Sequence, residues 1–315
     1  MPRSRLLLAG VLLSLTACEM LAPLSGRRRL EDRTTAPQLP GSALEKVVDL
    51  DYPPGNIAVS RTGRVFFTLH PDGHPPTQVM ELVNGASVPY APPGTPPYQT
   101  VLALRIDAQD RLWALDYAEY GRGTPRILGF DLATNTLAQQ YEVPSSSAGY
   151  LSMLNDFQTD PEGRALYIAE ASPIRQRPAI IVYDPVHRTS RRVLERHPSV
   201  MPKDYILQAP GRDMIISGLY RLTIGIDSIA IDAHGDWLYY GPVNGDRLYR
   251  VPTAALRDAT LSEDALAAKV EDYGPKSISD GLSSDVDGNV YMTDPEHSAI
   301  LAMGPDRTLR TVVKD

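Results

Sequence analysis

The chain has 315 residues, 43% hydrophobic and 22% charged, enough apolar material for one large domain or two small ones and too much for a disordered chain. Its formal net charge of −7, with no basic stripe, argues against a nucleic-acid partner. A single cysteine excludes an intramolecular disulfide framework.

At the N-terminus Arg3 and Arg5 precede the apolar run Leu6 to Leu15, which closes with Thr16, Ala17 and Cys18. The run is too short for a bilayer span, which needs about 20 residues. A basic start, a short apolar core and small residues before the cut describe a secretory signal. The ending "LTAC" also resembles the lipobox of bacterial lipoproteins, whose cysteine becomes the lipidated first residue. Residues 1–17 are therefore expected to be a lipoprotein signal peptide, with Cys18 as lipidation site and membrane anchor. The product is expected to be secreted across the inner membrane and held in the cell envelope, facing the periplasm or the cell surface. Residues 18–43, which carry Arg27, Arg28 and Arg29 among prolines and serines, read as the lipidated N-terminus and a flexible linker.

Residues 44–315 remain for the folded domain, which opens on a strand-like segment, "LEKVVDLD" (Leu44 to Asp51). One hairpin pattern then recurs in five copies: "GNIAVSRTGRVFFTLHP", "LALRIDAQDRLWALD", "LNDFQTDPEGRALYIAE", "DSIAIDAHGDWLYYGP" and "SISDGLSSDVDGNVYMTD". Their turns begin at Ser60, Asp107, Asp160, Asp232 and Asp285, and three residues later stand Gly63, Asp110, Gly163, Gly235 and Gly288. The acid can bond the turn backbone, and glycine accepts the positive φ a hairpin requires. Further apolar segments follow, such as "RILGFDLATNT" with "LAQQYEVP" and "SAILAMGPD" with "RTLRTVV". Four strands per repeated unit predict an all-β fold, a β-propeller of four-stranded blades. Between the third and fourth units, about Pro198 to Leu222, an extra segment is expected to form a hairpin or loop over one rim. The early strand has no place in a ring of five, so the expectation is a six-bladed family with five complete blade repeats recognisable in this chain.

The blocks "YPPGNIAVSRTGRVFFTLHP", "VLALRIDAQDRLWALD", "LNDFQTDPEGRALYIAE" and "GIDSIAID" resemble the yellow/major royal jelly protein family, in its bacterial members. That family is similar to the gluconolactonase/regucalcin-like group of six-bladed propellers. Some of its members bind amine or catechol-like ligands.

Inner strands line a propeller's channel, so residues at their entrances converge. Five residues before each turn stand Gly55, Leu102, Asn155, Asp227 and Asp280. Neighbouring carboxylates repel and raise one another's pKa unless a cation lies between them, and an all-oxygen set of Asp and Asn suits a hard ion such as Ca²⁺. Asn155, Asp227 and Asp280 are thus candidate metal ligands, with Asn56 and Asp156 as ligand-binding candidates beside them. The alternative is that these residues cap strand entrances through backbone N–H bonds. In gluconolactonase-like enzymes this column holds a divalent metal that helps open a lactone. The resemblance matches Asn155 and Asp280 by type, gives Asp227 for the usual Asn, and puts Gly55 where a metal-binding Glu is expected.

His70 and His74 sit in a Pro- and Gly-rich stretch and read as surface-loop residues, and no nucleotide or organic cofactor fingerprint occurs. The functional expectation is an envelope-anchored or secreted propeller binding a small molecule, with Ca²⁺ as candidate ion, at the channel mouth. The alternative is a metal-dependent hydrolase of sugar lactones, in which Asp227 or Asp280 acts as the catalytic base. A protein-interaction scaffold is the third reading.

Overall fold

The computed structural model describes residues 28–209, 212–216 and 220–315. The expected signal peptide and Cys18 lie outside the described residues. Among the described residues, no helix is long and apolar enough to cross a membrane.

Among the described residues, five sheets of four antiparallel strands make up the body of the fold, each an up-and-down blade in chain order. Blade 1 comprises β1 (Pro54–Val59), β2 (Val65–Leu69), β3 (Val79–Val83) and β4 (Ala86–Pro89). Blade 2 comprises β5 (Val101–Ile106), β6 (Arg111–Asp116), β7 (Arg126–Asp131) and β8 (Thr136–Glu142). Blade 3 runs through β9 (Leu154–Thr159), β10 (Leu166–Glu170), β11 (Ala179–Asp184) and β12 (Thr189–Val193). The extra segment forms two small ladders, β13 (Gln208–Ala209) with β14 (Arg212–Asp213) and β15 (Ile215–Ile216) with β16 (Tyr220–Arg221). Blade 4 is β17 (Ile226–Ile231), β18 (Trp237–Pro242), β19 (Arg247–Pro252) and β20 (Glu271–Pro275). Blade 5 is β21 (Leu282–Ser284), β22 (Val290–Asp294), β23 (Ala299–Met303) and β24 (Leu309–Lys314).

The repeated turn is where local chemistry sets the register. Gly63, Asp110, Gly163, Gly235 and Gly288 all have positive φ, between 58° and 83°. The turn acid accepts from the backbone that follows it: Asp107 Oδ1 takes the N–H of Gln109 and of Arg111 at 3.0 and 2.9 Å. Its Oδ2 takes the buried Trp113 indole N–H at 2.8 Å, tying the turn to the strand it starts. Asp107→Ala strands that indole donor, so a loss of about 2 kcal/mol is expected in urea unfolding.

Each blade face buries its apolar residues against the next blade, which is why no single blade is a stable unit. Phe66, Leu104, Leu112 and Phe130 fill the seam between blades 1 and 2, and Trp113, Phe157, Ile168 and Ile181 the next. Tyr167, Ile180, Ile229 and Tyr240 join blades 3 and 4, and Tyr239, Leu248, Met292 and Leu301 join blades 4 and 5. The inner strands pack in the order β1, β5, β9, β17, β21, but among the described residues no comparable packing returns from β21 to β1. Blade 1 accordingly keeps an open face, with Ile57 62% and Val59 57% exposed.

Two expectations are corrected. Among the described residues the protein shows five blades and not a six-bladed ring, and Leu44–Asp51 forms no strand. A strand needs an open edge, and that of β24 is taken by Gln38 and Leu39, whose N–H groups bond Thr311 and Val312 carbonyls. Leu50 instead covers Phe67, Leu69 and Met80 on the open face of blade 1. Upstream, Arg33 bonds the carbonyls of Asp246 and Lys276 at 2.7 and 2.9 Å, and Thr35 N–H bonds Thr311 Oγ1 at 2.7 Å. Residues from Arg28 to Leu39 therefore lie along blades 4 and 5, and the extra segment joins them where Ile206 N–H bonds Arg28 O.

Candidate functional site

Four of the five inner strands begin with a bulge. The pairing slips by one residue between Pro54 and Ile57, Val101 and Ala103, Leu154 and Asp156, and Ile226 and Ile229. Gly55, Leu102, Asn155 and Asp227 all fall in these slips. In blade 5 the column residue precedes the strand: Asp280 donates its N–H to Thr293 Oγ1 at 3.2 Å, as Asn56 does to Thr68 Oγ1 at 2.8 Å. A bulge opposes two residues to one and re-aims their side chains. Strict alternation, which would turn Asn56 away from the channel, fails at this point.

Asn56 and Asp156 meet on a residue that the pattern reading missed. Arg105 of β5 donates to Asn56 Oδ1 at 2.5 Å from one guanidinium nitrogen, and to both Asp156 carboxylate oxygens at 2.7 and 2.8 Å from the other. One side chain thus links blades 1, 2 and 3 across the channel. The sequence signal is an arginine interrupting the apolar run "LALRI". Asp156 also accepts the Phe157 N–H, and burial still pushes its carboxyl up against the pull of Arg105.

Asp227 is 3% exposed, and its Oδ1 has no hydrogen-bond partner among the described residues. Burial raises its pKa well above the usual carboxylate range, and Asp280 and Asp156 raise it further. Asp280 is open to solvent just ahead of β21; the protein packed around it pushes its carboxyl up, with His70 opposing and Asp156 adding. His70 itself caps the turn Pro71–Gly73, its Nδ1 accepting the Asp72 N–H at 3.2 Å. Asn155 is half-buried in its bulge.

Beneath this group lies a lysine that sequence reasoning also missed. Lys276 is 1% exposed, bonds Ser277 O at 2.9 Å and reaches Val243 O at 3.5 Å. Burial lowers its pKa to about 7, against the attraction of Asp246, Asp227 and Asp294. A Cβ at Gly241 would stand 2.8 Å from Lys276 Cε, so this glycine makes room for the lysine stem.

The acids that end the second strands belong to the scaffold. Asp116 accepts from Gln99, Thr100 and Ala118 N–H groups and pairs with Arg126, while Glu170 pairs with Arg192. Asp294 accepts from Glu296 and His297.

The donors present do not fit the divalent ion implied by resemblance. Asp156 is spent on Arg105, and a Cβ at Gly55 would stand 2.7 Å from Thr68 Oγ1 and 2.8 Å from Leu102 Cδ1, leaving no room for a ligating side chain. Among the described residues no group of three or more His, Cys, Asp and Glu is placed to hold a metal. Asn155, Asp227 and Asp280 offer at most five side-chain oxygens, so water or backbone carbonyls would have to complete the roughly 6–8 that Ca²⁺ takes.

Comparison with known proteins agrees with the architecture. The chain is 29% identical over 181 residues to major royal jelly protein 1 of Apis mellifera, a match covering 51% of this chain and 38% of that protein. For major royal jelly protein 3 of the same organism the values are 26% over 176 residues, 51% and 30%. The matched stretch thus spans well under half of either relative. Among solved structures, the gluconolactonase XC5397 of Xanthomonas campestris superposes with a TM-score of 0.53 at 13% identity, covering 85% of this chain and 78% of that one. A chain of the nidogen/laminin complex superposes with 0.50 at 12% identity, covering 82% and 83%. Such identities speak for the fold alone. Residues 99–312, however, match the family described as major royal jelly protein, and the chain belongs to that family.

Proposed function

We propose that this propeller binds a small organic cation at the channel mouth, held between Asp227 and Asp280 with the Asn155 amide beside them. The observation that carries the reading is the buried Oδ1 of Asp227, without a hydrogen-bond partner among the described residues and next to a second carboxylate. Two carboxylates in one another's field cannot both be cheaply ionised, and an ammonium donor between them resolves the repulsion and fills the empty acceptor. A hydrogen bond to a charged group is worth about 1.5–3 kcal/mol, roughly a tenfold to hundredfold gain in affinity. In this reading the lipid at Cys18 keeps the propeller at the cell envelope.

Calorimetric titration with tyramine, calcium chloride and glucono-1,5-lactone tests the proposal. Tyramine is expected to bind the native protein and to bind Asp227→Asn at least about tenfold more weakly. Asp227→Asn should also melt higher, because the substitution keeps the shape and removes a charge that burial penalises. Equal tyramine binding by both proteins, or none by either, overturns the reading. Heat from Ca²⁺ together with lactone turnover would move the assignment to the metal-dependent hydrolase, and a protein inert to all three probes would leave the interaction scaffold as the better description.

A further inference from the structure

We infer that Arg105 is the resident cation of the channel and decides that this propeller works without a divalent metal. Inner strands of three successive blades bring Asn56, Arg105 and Asp156 to one place, where the guanidinium makes four contacts: Asn56 Oδ1, Leu104 O and both oxygens of Asp156. Arg105 and Asp156 are largely buried, at 18% and 9% side-chain exposure, so little solvent screens the pair. A channel that gathers Asp156, Asp227 and Asp280 needs positive charge, and a metal ion or a fixed side chain can supply it. A guanidinium is permanently charged and planar, and its fork matches a carboxylate edge.

Two consequences follow for the acids. Asp156 is withdrawn from any metal, because a divalent ion on its oxygens would have to displace or abut the guanidinium. Asp227 and Asp280 are left without that cation, since Arg105 points its donors to blades 1 and 3 and none to blades 4 and 5. Arg105 therefore sorts the column into a satisfied half and an unsatisfied half. The inference stands on the bonds of Arg105 and does not depend on which ligand occupies Asp227 and Asp280.

Titrating Mn²⁺ into the full-length protein, with bound ion read by electron paramagnetic resonance, tests it. The native protein is expected to show no saturable binding up to about 1 mM, the weak end of natural Ca²⁺ modules. Arg105→Gln keeps polar contacts but removes the charge. It should gain saturable binding at least about tenfold tighter than that limit, and Asp156→Asn in the same chain should abolish it. Arg105→Lys, which keeps the charge, should gain none. Saturable Mn²⁺ binding by the native protein that Asp156→Asn removes overturns the inference, as does a folded Arg105→Gln that binds no Mn²⁺. Should Arg105→Gln not fold, the native titration decides alone: channel binding refutes, and its absence to the stated limit supports.

Discussion

Lys276→Met is expected to abolish a rise in stability that the native protein shows between pH 7 and about 9.5. Burial lowers the Lys276 pKa from 10.5 to about 7, so above pH 7 the folded protein holds this amine neutral while the unfolded chain keeps it protonated. The unfolded state then binds more protons, and the unfolding free energy climbs with pH. At ~1.4 kcal/mol per unit, the full window up to 10.5 would contribute at most about 5 kcal/mol. Below pH 7 the ammonium is charged in both states and its burial cost is borne in full.

The acids act with the opposite sign. Asp156, Asp227 and Asp280 have raised pKa values, so their contribution is complete below the ordinary carboxylate range and is lost as pH rises through their folded values. Buried tyrosines, Tyr98 and Tyr240 among them, are held protonated and oppose the lysine above pH 10. The lysine is therefore read as the difference between the native and Lys276→Met profiles, below the range where the tyrosines act. Methionine fills the space against Gly241 without the amine. Urea midpoints at half-unit steps from pH 7 should climb for the native protein and stay level for the variant; a level native profile would show that Lys276 does not change charge on folding.

Gly55→Glu, the substitution that would supply the missing column carboxylate, is expected to cost about 3 kcal/mol or more and to gain no response to Ca²⁺. The obstacle is Thr68, whose Oγ1 would lie 2.7 Å from the new Cβ. That oxygen cannot retreat, because it donates to Leu102 O at 2.6 Å and accepts the Asn56 N–H at 2.8 Å, holding blade 1 to blade 2. Gly55→Ala meets the same atom and should lose much of the same stability without the charge. Thermal melts of both variants with and without calcium chloride check this. A Gly55→Glu protein as stable as the native one and stabilised by Ca²⁺ would refute it.

The blades were legible because their signals are local. Asp107 bonds its own turn, Gly163 needs only its own φ, and the unbroken apolar run in "RLWALD" marks a strand buried on both faces. Leu44–Asp51 misled for the same reason: alternation describes a strand that could form, and a strand also needs an unoccupied edge, which Gln38 and Leu39 had taken. In the site, Asp227 and Asp280, the second of which raises the pKa of the first, stand at equal counts from their turns. The direction of Asn56 could not be read from such a count, because a bulge suspends the two-residue period without marking the residues that compose it. Arg105 and Lys276 passed as ordinary charges, since their partners come from other blades or from backbone carbonyls.

The all-β repeat and the turn register can be read along the chain, because each rests on contacts within a few residues. Among the described residues, the count of blades, the meeting of Arg105 with Asn56 and Asp156, 49 and 51 residues away, and the lack of a partner for Asp227 Oδ1 emerge from how the sheets stack. Charge states depend on burial and on distances of a few ångströms between blades, and those distances are set when the sheets stack around the channel.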